Sequence, residues 1–170
     1  TSRLIDDVLE LDNPLLHKAL SRPYKEGGMY PASLKLNKTS NDTSRVEFIG
    51  MTIETVGKRL RLSVFDKRKS FPFHVRRYPL VASLIPRSIP YGVFVGLLHR
   101  GYRICSHATD FLSYAGEVGS ILRANGCSTK RLKILFRSFV EHNMHKYRGA
   151  RTYAVREFGR KLGSDGGVNH

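Results

Sequence analysis

Residues 1–11 read TSRLIDDVLEL, in which an acidic pair, Asp6-Asp7, stands between two apolar runs. Apolar residues on both sides predict two short strands that pair as a β-hairpin with the carboxylates at its tip. These residues alone allow two interpretations of the acidic pair. One is an ordinary acidic turn that faces solvent, since so short a motif often matches by chance. The other is a catalytic site whose hard carboxylate oxygens hold Mg²⁺ for phosphoryl transfer.

A small antiparallel sheet with one helix is the expected structure of residues 1–65. Asn13-Pro14 predicts the start of a short helix, because proline is favoured in the first helical turn. Residues 33–39 (SLKLNKT) alternate like a strand, and residues 46–56 (VEFIGMTIETV) read as one strong strand that is partly apolar on both faces. Gly57-Lys58 then turns the chain into a returning strand over residues 59–65.

The chain changes character after residue 65. Residues 66–70 (DKRKS) form a charged loop, and the four prolines that follow exclude regular helix: Pro72, Pro79, Pro86 and Pro90. Helical periodicity then appears in three successive runs, the second of which stops at Gly126. Their apolar faces predict a compact three-helix bundle.

The expected fold class is therefore α+β, with an antiparallel sheet and short helix followed by a three-helix bundle. Residues 1–65 would form the sheet unit and residues 66–148 the helical unit. Residues 149–170, which end in a glycine-rich stretch, would form a flexible tail. The chain also begins with Thr inside a strand-like run, which indicates a piece of a longer protein.

The charge is strongly positive and unevenly distributed. Lys and Arg number 29 against 14 acidic residues, a net charge of +15. Residues 1–65 hold 10 basic and 8 acidic residues, whereas residues 66–148 hold 15 and 4. So large an excess in the helical part predicts a polyanionic partner, most simply nucleic acid. We find no long apolar span and no lipidation signal, so we expect no membrane partner.

The two cysteines favour a structural role. Cys105 and Cys127 match no zinc-ligand spacing, and both lie in apolar helical contexts, so we expect buried thiols. A reducing compartment and the absence of a visible signal peptide predict an intracellular protein, in the nucleus or the cytoplasm.

Three motifs in the sheet unit resemble the palm of reverse transcriptases. Residues 4–7 (LIDD) resemble the Tyr-x-Asp-Asp turn, with Leu in place of the usual aromatic residue. Residues 30–39 (YPASLKLNKT) resemble the next palm motif, and residues 46–51 (VEFIGM) resemble the following hairpin, the primer grip.

The helical unit resembles the thumb of the same enzymes in eukaryotic retroelements of the non-LTR or Penelope-like type. The matching segments are residues 66–73 (DKRKSFPF) and 89–94 (IPYGVF), followed by Cys105 and residues 110–112 (DFL). Each motif is weak singly, but their order and spacing from residue 2 to about residue 147 are specific as a set. Because of this resemblance, we expect that the acidic pair derives from a catalytic site and is not an ordinary turn.

The resemblance implies roles for individual residues. Asp6 would ligate Mg²⁺ in a two-metal nucleotidyl-transfer site, and Asp7 would support that site or bind metal less directly. Lys38 would lie near the pyrophosphate of an incoming dNTP and could donate a proton, although Asn37 or Lys35 could occupy the aligned position and Lys38 could equally be a solvated lysine at a strand end. The primer 3′ end would be placed by Phe48, Ile49 and Gly50, of which Phe48 could equally serve an ordinary core strand.

The basic residues of the thumb would contact the backbone of an RNA/DNA template–primer duplex without reading its sequence, although such a face is often only solvated. Tyr91 and Tyr102 could stack on a sugar or base, but burial is the favoured interpretation. The candidates for phosphate contact are Lys67, Arg68, Lys69, Arg100, Arg103, Lys130, Arg131, Lys133 and Arg137.

The function expected from the resemblance is the C-terminal palm and thumb portion of an RNA-directed DNA polymerase, a nucleotidyltransferase of a retrotransposon. We expect no polymerisation by this chain alone, because the fingers and the metal-binding aspartate of an earlier palm motif are not in it. The alternative is a non-enzymatic basic nucleic-acid-binding module, a degenerate retroelement remnant. A third possibility is a structural module that binds an acidic protein.

Overall fold

The computed structural model of the chain describes residues 2–4, 7–9, 14–22, 24–31, 33, 44–73, 75, 78–147 and 149–163. An antiparallel sheet and separate helices make the fold α+β, as the sequence predicts. The predicted strand over residues 33–39 and the loop after it lie almost wholly outside the described residues.

The expected hairpin is present at the start of the chain, but Asp7 lies in its second strand and not at its tip. Strand β1 (Ser2–Leu4) pairs antiparallel with β2 (Asp7–Leu9), and the register places Leu4 opposite Asp7. Helix α1 (Pro14–Ser21) begins at the proline that predicts it. A short 3₁₀ turn, Tyr24–Glu26, follows.

The main sheet has three antiparallel strands in the order β3 (Arg45–Phe48), β4 (Met51–Val56) and β5 (Arg59–Val64). The single strand predicted over residues 46–56 is wrong, because the chain reverses between Phe48 and Met51, which pair with each other. The second reversal, at Gly57-Lys58, lies where the sequence places it.

Three helices follow the irregular stretch, near the predicted positions. They are α2 (Ile89–Ile104), α3 (Ala108–Ala124) and α4 (Thr129–Asn143). Between β5 and α2 the described residues contain a 3₁₀ turn, Lys67–Ser70, and no α-helix, as the prolines predict. Pro90 is tolerated because it lies in the first turn of α2, where its missing N–H costs no helical hydrogen bond.

A fourth helix completes the bundle, so the prediction of a flexible tail from residue 149 is wrong for most of that stretch. Helix α5 (Arg151–Gly163) packs against α3 and α4 and buries Ala154, Phe158 and Leu162. These three residues are spaced by four, so they lie on one face of the helix. Residues 164–170 lie outside the described part of the chain.

Stacked aromatic rings link the four helices in one core. Phe136 of α4 lies between Phe158 of α5, at 4.0 Å between ring centroids, and Phe111 of α3, at 6.2 Å. Phe94 of α2 contacts Phe158 at 5.9 Å. All four rings are buried, so α5 is as much part of the core as the three predicted helices.

The role of α5 gives the first test. We expect Phe158→Ala to lower the free energy of unfolding by about 3–5 kcal/mol, because it leaves a cavity between α3 and α4. The control is Tyr153→Ala on the same helix, where the side chain is 46% exposed and the expected loss is within about 1 kcal/mol. Urea denaturation measures both. Equal losses would show that α5 is only peripheral to the core.

Candidate nucleic-acid interface

The turn between β3 and β4 holds its backbone in an unfavourable conformation. Ile49 has φ of 49° and Gly50 has φ of 70°, the positive pair that closes a two-residue hairpin loop. Glycine adopts this region freely, whereas a β-branched residue there is strained. Ile49 is also 46% exposed, so its side chain is only partly buried. An exposed, strained apolar residue is therefore presented at the tip of the hairpin.

Helix α2 places an arginine against this turn. The Nη2 atom of Arg100 lies 3.4 Å from the carbonyl oxygen of Gly50, which also accepts a hydrogen bond from the Phe65 N–H at 3.0 Å. A Cβ atom on Gly50 would lie 2.5 Å from Arg100 Nη2, so a larger residue here would displace the guanidinium. The structure thus brings together two residues that the sequence analysis places in separate groups, the primer grip and the basic surface.

The same face of α2 carries an open cavity of about 510 Å³. It is lined by His99, Arg100 and Arg103, with Gly96 and Ile104 at its sides. These positions are three or four residues apart, so they line one face of the helix. Arg100 and Arg103 are exposed, whereas His99 packs edge-on against Phe139 with 4.9 Å between ring centroids. The cavity therefore offers two guanidinium groups next to the hairpin turn.

Helix α4 carries the second predicted basic surface. Lys130, Lys133 and Arg137 are exposed and are spaced by three and four residues, so they form one stripe along the helix. Arg131 differs, because its guanidinium carbon lies 4.2 Å above the ring of Tyr91. That contact is a cation–π interaction with a buried ring, which gives Arg131 a structural role beside any role in binding.

The two tyrosines considered for stacking belong to the core, as the favoured interpretation holds. Tyr91 is buried and its hydroxyl accepts a hydrogen bond from the Ser128 N–H at 3.0 Å. Tyr102 is half-buried, makes edge-on contacts with Phe111 and Phe139, and accepts from the Lys146 N–H at 2.6 Å. Neither ring offers a free face to a nucleic-acid base.

The remaining predicted basic residues cluster in the 3₁₀ turn after β5. Lys67 is exposed, while Arg68 donates from Nε to Asp66 Oδ1 at 3.0 Å. The Asp66 side chain also accepts from the Arg68 N–H, so it caps this turn. The side chain of Lys69 lies outside the described residues. Part of this positive charge is therefore neutralised within the turn.

The predicted catalytic residues are described only in part. Asp7 occupies the first position of β2, but its side chain, Asp6 and Lys38 lie outside the described residues. Among the residues that the structure does describe, no group of three or more His, Cys, Asp or Glu side chains could hold a metal ion. The metal assignment of Asp6 and Asp7 therefore stays a prediction.

A polar junction that sequence reasoning missed attaches the sheet to the bundle. Leu62 of β5 donates its N–H to Ser106 Oγ at 3.0 Å, and the Ser106 N–H donates to the Leu62 carbonyl at 2.9 Å. Beside it, Arg61 donates from Nε and Nη2 to both carboxylate oxygens of Asp110, at 2.9 and 2.6 Å. The hydrogen bonds and charge of Asp110 raise the pKa of Arg61, so the guanidinium of this bidentate pair stays charged.

The two buried thiols predicted from the sequence are confirmed. Cys105 and Cys127 are free and buried. Burial raises the pKa of Cys105 to about 11, so almost no thiolate is present at neutral pH. The Cys105 carbonyl accepts from the Tyr147 hydroxyl at 2.6 Å and from Lys146 Nζ at 2.7 Å. Cys105 thus helps to anchor the segment after α4 and is poorly suited to act as a nucleophile.

Comparison with known proteins adds no relative to this picture: no family model, curated protein or solved structure matches the chain. In the described part of the chain, no helix combines the length and apolar character needed to cross a membrane.

The strain at the hairpin turn gives a second test. Asn-Gly is the preferred pair for this turn, so we expect Ile49→Asn to raise the free energy of unfolding by roughly 1 kcal/mol. Ile49→Val keeps the β-branch and the strain, and should be no more stable than the parent chain. Urea denaturation compares the three proteins. A less stable Ile49→Asn chain would mean that contacts of the Ile49 side chain outweigh the backbone strain.

The buried thiol gives a third test, in which the sign follows from the raised pKa. The unfolded chain ionises Cys105 near its ordinary pKa of 9.0, whereas the folded chain holds it protonated to about 11. The stability contributed by the protonated thiol is therefore present below pH 9 and is lost between pH 9 and 11, at roughly 1.4 kcal/mol per pH unit. Cys105→Ala lacks this component. If the free energy of unfolding of the two proteins changes equally between pH 9 and 11, Cys105 does not have a raised pKa in the folded chain.

Proposed function

We propose that this chain is the C-terminal palm and thumb portion of an RNA-directed DNA polymerase of a retroelement, and that it binds the template–primer duplex. The observation that carries the proposal is the position of the Ile49-Gly50 turn beside the basic cavity of α2. The resemblance assigns that turn to the primer and the cavity face to the nucleic-acid backbone, and in the fold Arg100 contacts Gly50.

The chemistry of this surface suits the end of a duplex. Ile49 offers an exposed apolar side chain that could rest against a sugar ring, while Arg100 and Arg103 offer guanidinium groups for the flanking phosphates. Backbone strain that persists at an exposed residue is common at functional sites, where the surrounding structure maintains it. Such contacts would position the duplex without reading its sequence.

The positive charge at the start of α4 supports the same proposal. Lys130, Arg131 and Lys133 lie within the first two turns of α4, and its first turn has no acidic residue. Cations in the first turn of a helix, here Lys130 and Arg131, oppose the positive end of the helix dipole, which costs roughly 0.3–1 kcal/mol each. Bound phosphates would offset this cost, because the helix dipole and the side chains both attract them.

In the proposed catalytic role, Asp6 and Asp7 would hold Mg²⁺ through their carboxylate oxygens, and Lys38 would donate a proton near the pyrophosphate of a dNTP. Two adjacent carboxylates provide the hard oxygen ligands that Mg²⁺ prefers, together with substrate phosphates. The bound ion would supply positive charge beside the reacting phosphate.

A non-enzymatic nucleic-acid-binding module is the second candidate. It is favoured by the fact that the α2 cavity and the α4 stripe are complete without the acidic pair. Hybrid affinity measured in Mg²⁺ and in Ca²⁺ at equal ionic strength separates the two candidates. A preference for Mg²⁺ that is lost in Asp6→Asn favours the polymerase portion, and equal affinities favour the module.

Salt-dependent binding to an RNA/DNA hybrid is the fourth test, read by fluorescence anisotropy. We expect Arg100→Ala with Arg103→Ala, and separately Lys130→Ala with Lys133→Ala, to weaken binding and to flatten the salt slope by up to about 0.9 for each lost phosphate contact. Arg131 is left in place because it packs on Tyr91. The control, Lys58→Ala with Arg59→Ala, removes the same charge from the exposed β4–β5 turn. If this control loses as much affinity as the other variants, the loss reflects net charge and not contacts at these two surfaces.

A further inference from the structure

A groove of about 490 Å³ runs between α4 and α5. Arg137 lines it from α4, and Arg151 and Arg156 line it from α5. The single carboxylate in its lining is that of Glu141, so three guanidinium groups face one negative charge. Val140 and Val155 supply an apolar floor. The groove exists because α5 is a packed helix, and it lies apart from the α2 cavity.

One of the three arginines is held by a specific hydrogen-bond chain. Arg151 Nη2 donates to His145 Nδ1 at 3.3 Å, and His145 Nε2 lies 2.9 Å from the His142 carbonyl. Both contacts are satisfied when Nδ1 accepts and Nε2 donates. Thr152, the next residue of α5, adds a hydroxyl to the lining. The groove is therefore partly organised before any ligand binds.

The groove continues the basic stripe of α4. Lys130, Lys133 and Arg137 lie along one face, and the distance from the first to the last is seven residues, or about 10 Å along the helix. Arg137 belongs to both the stripe and the groove. A polyanion that follows the stripe would therefore meet basic side chains continuously until it reaches the groove.

The width of the groove favours one strand over two. The cleft between these two packed helices, about 490 Å³, can enclose one chain of phosphates but not a whole duplex. None of the seven described residues that line the groove is aromatic, so it has no stacking platform for bases. Arginine forks match phosphate geometry in two-point contacts.

We propose that the α4–α5 groove binds the phosphodiester backbone of a single nucleic-acid strand, with its bases left outward. This rests on the proposed function to the extent that the strand would extend from a duplex bound on the α4 stripe. Arg137, Arg151 and Arg156 are the phosphate-binding residues.

The test compares three labelled probes by fluorescence anisotropy across a salt series. They are a single-stranded oligonucleotide, a blunt RNA/DNA hybrid, and the same hybrid with a single-stranded extension. We expect the double variant Arg151→Ala with Arg156→Ala to flatten the slope of log affinity against log salt for the single strand by about 1.4. Between 50 and 200 mM salt the variant should then lose about sevenfold less affinity than the parent chain does. The extended hybrid should change similarly, and the blunt hybrid should not change.

Two controls separate the groove from general effects. Arg160→Ala removes an exposed arginine of α5 that pairs with Glu157 at 2.7 Å outside the groove, and it should leave single-strand binding unchanged. Arg151→Lys with Arg156→Lys keeps the charge and should retain the salt slope. Thermal unfolding confirms that each variant is folded.

The outcomes are distinct for the two proposals. If the parent chain binds the single strand but not the blunt hybrid, the proposed duplex function fails while the groove can still be tested. Unchanged single-strand binding in Arg151→Ala with Arg156→Ala overturns the groove proposal. An equal loss for the blunt hybrid, or competition by poly-glutamate as strong as that by the oligonucleotide, overturns it as well.

Discussion

The pair of hydrogen bonds between the backbone of Leu62 and the N–H and hydroxyl of Ser106 determines how the two halves of the molecule meet. It extends the edge of the sheet onto the segment that joins α2 to α3, and the Arg61–Asp110 pair fixes the same edge from the side. Because β5 pairs with β4, the β3–β4 turn is carried with it to the face of α2. The contact between Arg100 and Gly50 depends on this attachment, so the candidate site is a product of the junction more than of either half.

Close packing of α3 and α5 plays the equivalent part in the bundle. A Cβ atom on Gly119 would lie 3.1 Å from side-chain atoms of both Phe158 and Leu162, and one on Gly116 would lie 2.6 Å from Lys161. Glycine at these two positions lets α5 approach α3 closely enough for Phe158 to reach Phe136. The ring stack then keeps α5 beside α4, and the groove between them follows. The core and the groove are therefore consequences of the same approach of helices.

The sequence predicts the elements whose own periodicity is strong. The antiparallel sheet and α2 to α4 fall near their expected positions because their apolar residues repeat at the period of the structure they form. Helix α5 is missed because its apolar face depends on Ala154, Phe158 and Leu162 within a mostly polar run. The turn at Ile49-Gly50 is missed because isoleucine is not a turn residue and the alternation continues through it. Arg61 and Asp110 are 49 residues apart, and only the folded chain shows that they pair.

Charge is the property of the candidate site that can be predicted best from the sequence. The positions of the charged side chains relative to one another are known only from the fold. A run such as Lys130 to Lys133 near the start of a helix weakens that helix, because each cation opposes the helix dipole and its neighbours. A polyanion bound along α4 would convert the repulsion into attraction. This distribution of charge suits the proposed phosphate-backbone partner. Arg131 contacts the ring of Tyr91, so Lys130 and Lys133 are the cations of this run that would respond most directly to such a partner.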